Sequence, residues 1–146
     1  MAADGRRLLY QHGVGLAFLA TIRRDGRPRL HPMCPLLVDG GLFAFIIPSP
    51  KQADLRRDGW YAMHSFPCPS NEDAFYLTGR ARMVTDTRVR EAMAERFVNE
   101  RSQFPVVPPA SHDALFEFDV DSCLLTKTTG HGDSAPEHVV WHAPNR

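Results

Sequence analysis

An antiparallel barrel, closed or partly closed and built from about six strands, is the fold class that the sequence predicts. Three observations carry it. Short apolar runs of strand length recur from Val14 to Val140, Gly-containing turns separate the first of them, and only two segments have helical character. Strand and helix therefore do not alternate as a parallel sheet requires. At 146 residues the chain has the size of one domain, taken here as 1–146.

The elements follow in order. Val14 to Ile22 is a near-continuous apolar run, which predicts a strand covered on both faces. Asp25-Gly26 then predicts a tight hairpin with positive φ at both central residues. Arg27 to Leu37 returns antiparallel, but prolines at 28, 32 and 35 forbid full ladder pairing and make it an irregular or edge strand. Asp39-Gly40-Gly41 is a second hairpin signal, and Leu42 to Ile47 is a strand stopped by Pro48-Ser49-Pro50. Ser49 is a good N-cap and Pro50 suits the first helical position, which predicts a short helix up to Gly59. Trp60 to Phe66 and Ala74 to Val84 read as strands. The second of these alternates Phe75, Leu77, Gly79 and Ala81 against Tyr76, Thr78, Arg80 and Arg82. Asp86-Thr87 opens a longer helix with Val89, Met93, Phe97 and Val98 at helical spacing. Ala114 to Lys127 is a last long strand, and Val139 to Trp141 a brief terminal one.

Charge excludes some functions. Lys plus Arg total 17 and Asp plus Glu total 17, so no net field gathers nucleic acid or anionic lipid, and a charged ligand must be held locally. No apolar run approaches a membrane span of roughly 20 residues, which leads to the expectation of a cytoplasmic protein with no membrane partner. Cys34, Cys68 and Cys123 are far apart and lack the paired spacing of zinc or thiol-disulfide motifs. Histidines 131, 138 and 142 match no standard ligand pattern, so no metal is expected.

The most informative stretch is Phe43 to Lys51, where an apolar strand feeds a Ser-Pro-Lys turn that opens a helix. Amide hydrogens at a helix start, a serine hydroxyl and an ammonium together suit a phosphate. The same residues also make an ordinary capped helix with a solvated lysine. Lys51 is one of only two lysines, the other being Lys127 at the end of the last long strand.

The segments Phe18 to Pro32, Phe43 to Lys51, Asp54 to Gly59 and Tyr61 to Ser65, in this order and spacing, resemble the pyridoxamine 5′-phosphate oxidase-like flavin-binding family. The likeness covers residues 14 to 84 most closely. It implies a six-stranded split β-barrel with a short and a longer flanking helix, forming a homodimer with FMN at the subunit interface. It also implies that Arg29, Leu30, His31, Pro32 and Met33 lie along the flavin, and that Phe45, Ile46, Ser49 and Lys51 hold the ring edge and the phosphate. Arg29 and Lys51 would supply the phosphate charge. Lys127 is a further candidate for the phosphate, and Trp141 for covering a flavin of the partner subunit. Pro50 stands where the oxidase that names the family has a second basic residue, and the C-terminal pattern that grips its vitamin B6 substrate is missing after Ala114. The expected activity is therefore a flavin-dependent oxidoreductase acting on a different small molecule. No catalytic acid or base is nominated, since the cofactor carries that chemistry. Two alternatives share the groove. A deazaflavin with a longer acidic tail would need further cations, for which Arg56, Arg57, Arg80 and Arg82 are available. A haem-binding protein would need an axial ligand such as His31, His64 or His131.

Overall fold

Two Asp-Gly turns organise the first half of the chain, and they differ. In the computed structural model, which describes residues 1–145, β1 (Ala17–Ile22) and β2 (Pro28–Met33) are joined through Arg23 to Arg27. Gly26 alone takes positive φ (83°) there, and the Arg23 N–H bonds the Arg27 carbonyl at 2.9 Å. This is a longer hairpin closed by a left-handed glycine, so the tight turn expected at Asp25-Gly26 is not formed. The tight turn occurs at the second site. Asp39 (φ 48°) and Gly40 (φ 80°) link β3 (Leu36–Val38) to β4 (Gly41–Ile46).

The remaining elements are α1 (Ala2–Leu9), α2 (Pro50–Arg57), β5 (Trp60–Ser65), β6 (Ala74–Met83), α3 (Thr87–Glu100), β7 (Ala114–Lys127) and β8 (Glu137–His142). Eight strands thus replace the six expected, and three helices the two. One of the two extra strands comes from Cys34-Pro35, which breaks the single irregular strand predicted over Arg27 to Leu37 into β2 and β3. The terminal clasp, β8, is a full six-residue strand. α1 has no counterpart among the expected elements, its apolar residues being few; Leu8 and Leu9 are nonetheless buried. Each such burial is worth roughly 1.5–3 kcal/mol.

All strands join one curled antiparallel sheet in the order β2-β1-β5-β6-β7-β4-β3, with β8 beside β7. The edge position of β2 suits its prolines. β7 is shared along its second edge: Ala114–Glu117 pair with β4, and Ser122–Lys127 with β8. The long β6–β7 ladder bends at a register shift between Thr78 and Gly79. A Cβ on Gly79 would sit 1.9 Å from the Asp119 carbonyl oxygen, so the bend requires glycine.

The concave face carries the core, including Leu19, Met63, Leu77, Phe116 and Phe118, with Leu8 and Leu9 of α1 and Leu55 of α2 packed onto it. The convex face is covered only in part within this chain, where Phe66 stacks on Phe18 of β1 and Phe97 of α3 meets Phe45 of β4. The register aligns Pro32, Phe18, His64, Tyr76, Leu124 and Val140 across six strands on that side. β1 is therefore buried on one face only, against the two-sided covering expected of it. Among the described residues, no helix is long and apolar enough to cross a membrane.

Candidate functional site

The strand-to-helix corner forms as its residues dictate. Ser49 is the N-cap of α2: its hydroxyl accepts from the Gln52 N–H at 3.4 Å and donates to the Ile47 carbonyl at 2.8 Å. The Gln52 side-chain amide donates to the Ile46 carbonyl at 2.8 Å, pinning the strand end to the helix. Pro50 has no N–H to offer, and the Ala53 N–H returns to the Ser49 carbonyl. Of the first-turn amides, that of Lys51 is left without a partner among the described residues. The serine hydroxyl is thus occupied by capping, and the corner offers one amide and one ammonium.

Lys51 lines a groove of about 530 Å³ together with Pro32, Met33, Phe45 and Ile46. Five of the eleven residues predicted to hold a cofactor therefore meet in one place. Phe97 of α3 and the Val107–Asp113 segment also border it. Phe97 meets Phe45 edge to face at 6.1 Å, and Arg90 lies over the Phe45 ring at 5.2 Å. The Arg90 guanidinium donates to the Asp113 and Ala110 carbonyls at 2.5 and 2.6 Å, which ties the segment to α3. Among the described residues the Lys51 ammonium has no hydrogen bond or ion pair, and burial lowers its pKa below the ordinary lysine value. A partly desolvated cation without a counter-charge favours an anion at that spot.

Arg29 is placed differently. It lies opposite Thr21 in the β1–β2 register, and its Nε donates to Asp54 of α2 at 2.8 Å. Asp54 is 3% exposed and also accepts from the Thr21 hydroxyl at 2.8 Å and from Arg57 at 3.2 Å. Burial pushes its pKa up, but the hydrogen bonds from Arg29, Thr21 and Arg57 outweigh that and leave it below the ordinary carboxylate value. The Nε of Arg29 is thus engaged by a buried carboxylate, and Arg29 is not among the residues that line the Lys51 groove.

The other candidates are dispersed. Leu30 is 65% exposed on the convex face, and His31 stands opposite Leu19. Lys127 pairs with Asp4 at 3.6 Å, away from α2. Trp141 borders a separate apolar cavity with Leu9, Leu42, Val120 and Cys123. His64 Nδ1 lies 2.6 Å from the Ser65 carbonyl oxygen, and His131 Nε2 lies 3.3 Å from that of Pro69. Arg56, Arg57, Arg80 and Arg82 do come together, lining a second groove at the other end of α2. Gln52, Arg90 and Phe97 shape the Lys51 site and Asp54 holds Arg29, and none of the four is a sequence-based candidate. Asp54 had a local signal, since an acidic residue three positions before Arg57 on a helix invites an ion pair. The position of α3 over β4 had none.

No protein-family model and no curated protein matches the sequence. Solved structures do. A pyridoxamine 5′-phosphate oxidase-like protein from Listeria innocua superposes with a TM-score of 0.65 at 15% identity, over 84% of this chain and 95% of that one. General stress protein 26 from Bacillus anthracis gives 0.63 at 16% identity, over 95% and 98%. A heme binding protein from Mycobacterium smegmatis gives 0.69 at 15% identity, covering 95% of this chain; this chain spans 57% of that one. The chain has the split-barrel fold. At these identities the likeness establishes the split barrel and not an activity.

Proposed function

We propose that this split barrel binds FMN in the groove beside Phe97, with the phosphate on the Lys51 ammonium and amide, and works as a homodimeric flavin-dependent oxidoreductase on a small molecule. The observation that carries the proposal is the half-buried Lys51 cation, which lines a largely apolar groove and has no ion-pair partner among the described residues. When bound, the flavin supplies electron transfer between a donor and an acceptor. The chain's part is to neutralise the phosphate at Lys51 and to exclude water with Met33, Phe45 and Ile46. Arg29 takes no part, because its charge is held by Asp54. The exposed part of the convex face supports the dimer: Leu30 and Val140 are 65 and 57% exposed, and every residue of β8 is exposed.

Haem is the other occupant that a structural neighbour's name suggests. None of His31, His64 and His131 lines the Lys51 groove, but His112 does, so the histidines do not decide between the two occupants. The absorption spectrum of the purified protein separates flavin, deazaflavin and haem directly.

The decisive test compares FMN with riboflavin. Lys51→Ala is expected to weaken FMN by roughly 1.5–3 kcal/mol, the worth of a hydrogen bond to a charged group, and to leave riboflavin unchanged. Equal weakening of both ligands would overturn the assignment. Sedimentation at micromolar concentration with FMN present is expected to give a dimer, and a monomer would remove the interface.

A further inference from the structure

The C-terminal end of α2 borders a second groove, of about 570 Å³, that the flavin proposal does not use. Its construction starts at Gly59. The Gly59 carbonyl accepts from the Ala81 N–H at 2.8 Å, and a Cβ on Gly59 would lie 2.5 Å from the Ala81 carbonyl oxygen. Only glycine lets the end of the helix approach β6 so closely. That approach sets Arg56 and Arg57 of α2 beside Arg80 and Arg82 of β6 along one groove, above Leu55, Ala81, Met83 and Phe116.

The four guanidinium groups are not equivalent. Arg82 is held by Asp119 at 3.0 Å and Glu117 at 3.4 Å, and Arg57 by Asp54 at 3.2 Å. Arg80 has no carboxylate partner among the described residues; it donates to the Asp58 backbone carbonyl at 2.8 Å and lies 5.3 Å from the Trp60 ring centre. Arg56 is exposed and makes neither hydrogen bond nor ion pair among the described residues. Two cations are thus fixed in place and two remain available. Met83 is 43% exposed in the same groove, so the site pairs free positive charge with uncovered apolar surface.

The geometry points to a second ligand site, in which this groove binds a small organic anion whose carboxylate meets Arg56 and Arg80 and whose apolar body rests on Met83. The volume is that of a small-molecule site, and a planar carboxylate matches the fork of a guanidinium. Asp58 also lines the groove, but its carboxylate pairs with neither Arg56 nor Arg80; an inorganic anion would leave Met83 uncovered, and an uncharged ligand would not engage these two guanidinium groups. The site stands whether or not the Lys51 groove takes flavin.

The test is calorimetric titration of the whole protein with 2-naphthoate, with the uncharged 2-naphthamide and inorganic phosphate as comparisons. Naphthoate is expected to bind more tightly than either. Arg56→Gln and Arg80→Gln are each expected to weaken it roughly tenfold or more, as for a lost hydrogen bond to a charged group. Arg24→Gln, which removes an exposed cation outside this groove, is expected to leave it unchanged. Arg56 makes no contact that folding needs, so its variant reports on binding even if Arg80→Gln is destabilised. Naphthamide binding as tightly as naphthoate, or naphthoate affinity unaffected by Arg56→Gln, would overturn the site. FMN affinity is measured in the same variants and is expected not to change. A parallel loss of FMN would mean that a cofactor extends into the groove, and would overturn its independence.

Discussion

The two flanks of α2 handle charge in opposite ways. On one, the Asp54 carboxylate is buried and saturated by Thr21, Arg29 and Arg57. On the other, three residues earlier in the helix, Lys51 borders a groove and has no ion-pair partner among the described residues. The first flank fastens the helix to β1 and β2; the second leaves a cation for something else. Which cation stays available is decided by strand register, since pairing Thr21 with Arg29 across the hairpin brings both to the same carboxylate. Counting positive residues near a corner cannot make that distinction.

The largest effect should come from breaking the closed flank. Asp54→Ala leaves Arg29 and Arg57 without their common partner in a partly buried setting, at an expected cost of roughly 3–5 kcal/mol in urea unfolding. A loss below about 1 kcal/mol, the range of an exposed pair, would erase the contrast between the flanks. Acid sharpens the same point. The folded-state pKa of Asp54 is below its unfolded value, so its contribution is complete above about 3.9, the ordinary aspartate value, and is lost as pH falls through the folded value. Asp54→Asn should remove that component, flattening the acid limb of a plot of unfolding midpoint against pH. An unchanged limb would assign acid sensitivity to other carboxylates.

Arg29→Gln comes next in size. It removes one charged hydrogen bond to Asp54 while Thr21 and Arg57 remain, for roughly 1.5–3 kcal/mol. Its diagnostic value lies in binding. The ratio of FMN to riboflavin affinity should stay at the wild-type value, because Arg29 belongs to the closed flank. A fall in that ratio matching the one for Lys51→Ala would return Arg29 to the phosphate, as the family resemblance implies.

These contrasts mark how far the sequence could be read. The helix start was legible because Ser49 and Pro50 act locally, through one side-chain bond and one fixed φ. The meeting of Met33, Phe45 and Lys51 was legible through the resemblance, which carries spacing between segments. The partner of Arg29 was hidden, since it depends on an ion pair between residues 25 positions apart that only the β1–β2–α2 arrangement creates. The split of β2 from β3 was half visible. Pro35 announced an interruption, yet only the tight Asp39-Gly40 turn shows that the residues after it pair with β4. The border formed by Phe97 and Val107–Asp113 was invisible, because the apolar spacing of α3 predicts a helix but not the strand against which it lies.

The smallest effect on stability is expected at the open flank, and its sign is the informative part. Burial lowers the pKa of Lys51, so the unfolded chain binds its proton more readily than the folded one. The charge therefore works against folding when no anion is present, and stability rises as pH climbs through the window below the ordinary lysine value of about 10.4. Lys51→Met keeps most of the packing of the stem and removes that opposition. Without ligand, its unfolding midpoint should equal or exceed that of the wild type at neutral pH, and the alkaline rise should disappear. With FMN in excess the order should invert, because the wild type is stabilised by ligand binding according to its tighter affinity. A ligand-free variant less stable than wild type by more than about 1 kcal/mol would mean that the ammonium already has a partner within the fold, since an ordinary neutral exchange at such a site costs less. Both flanks would then be closed, and the helix would have no charge to lend.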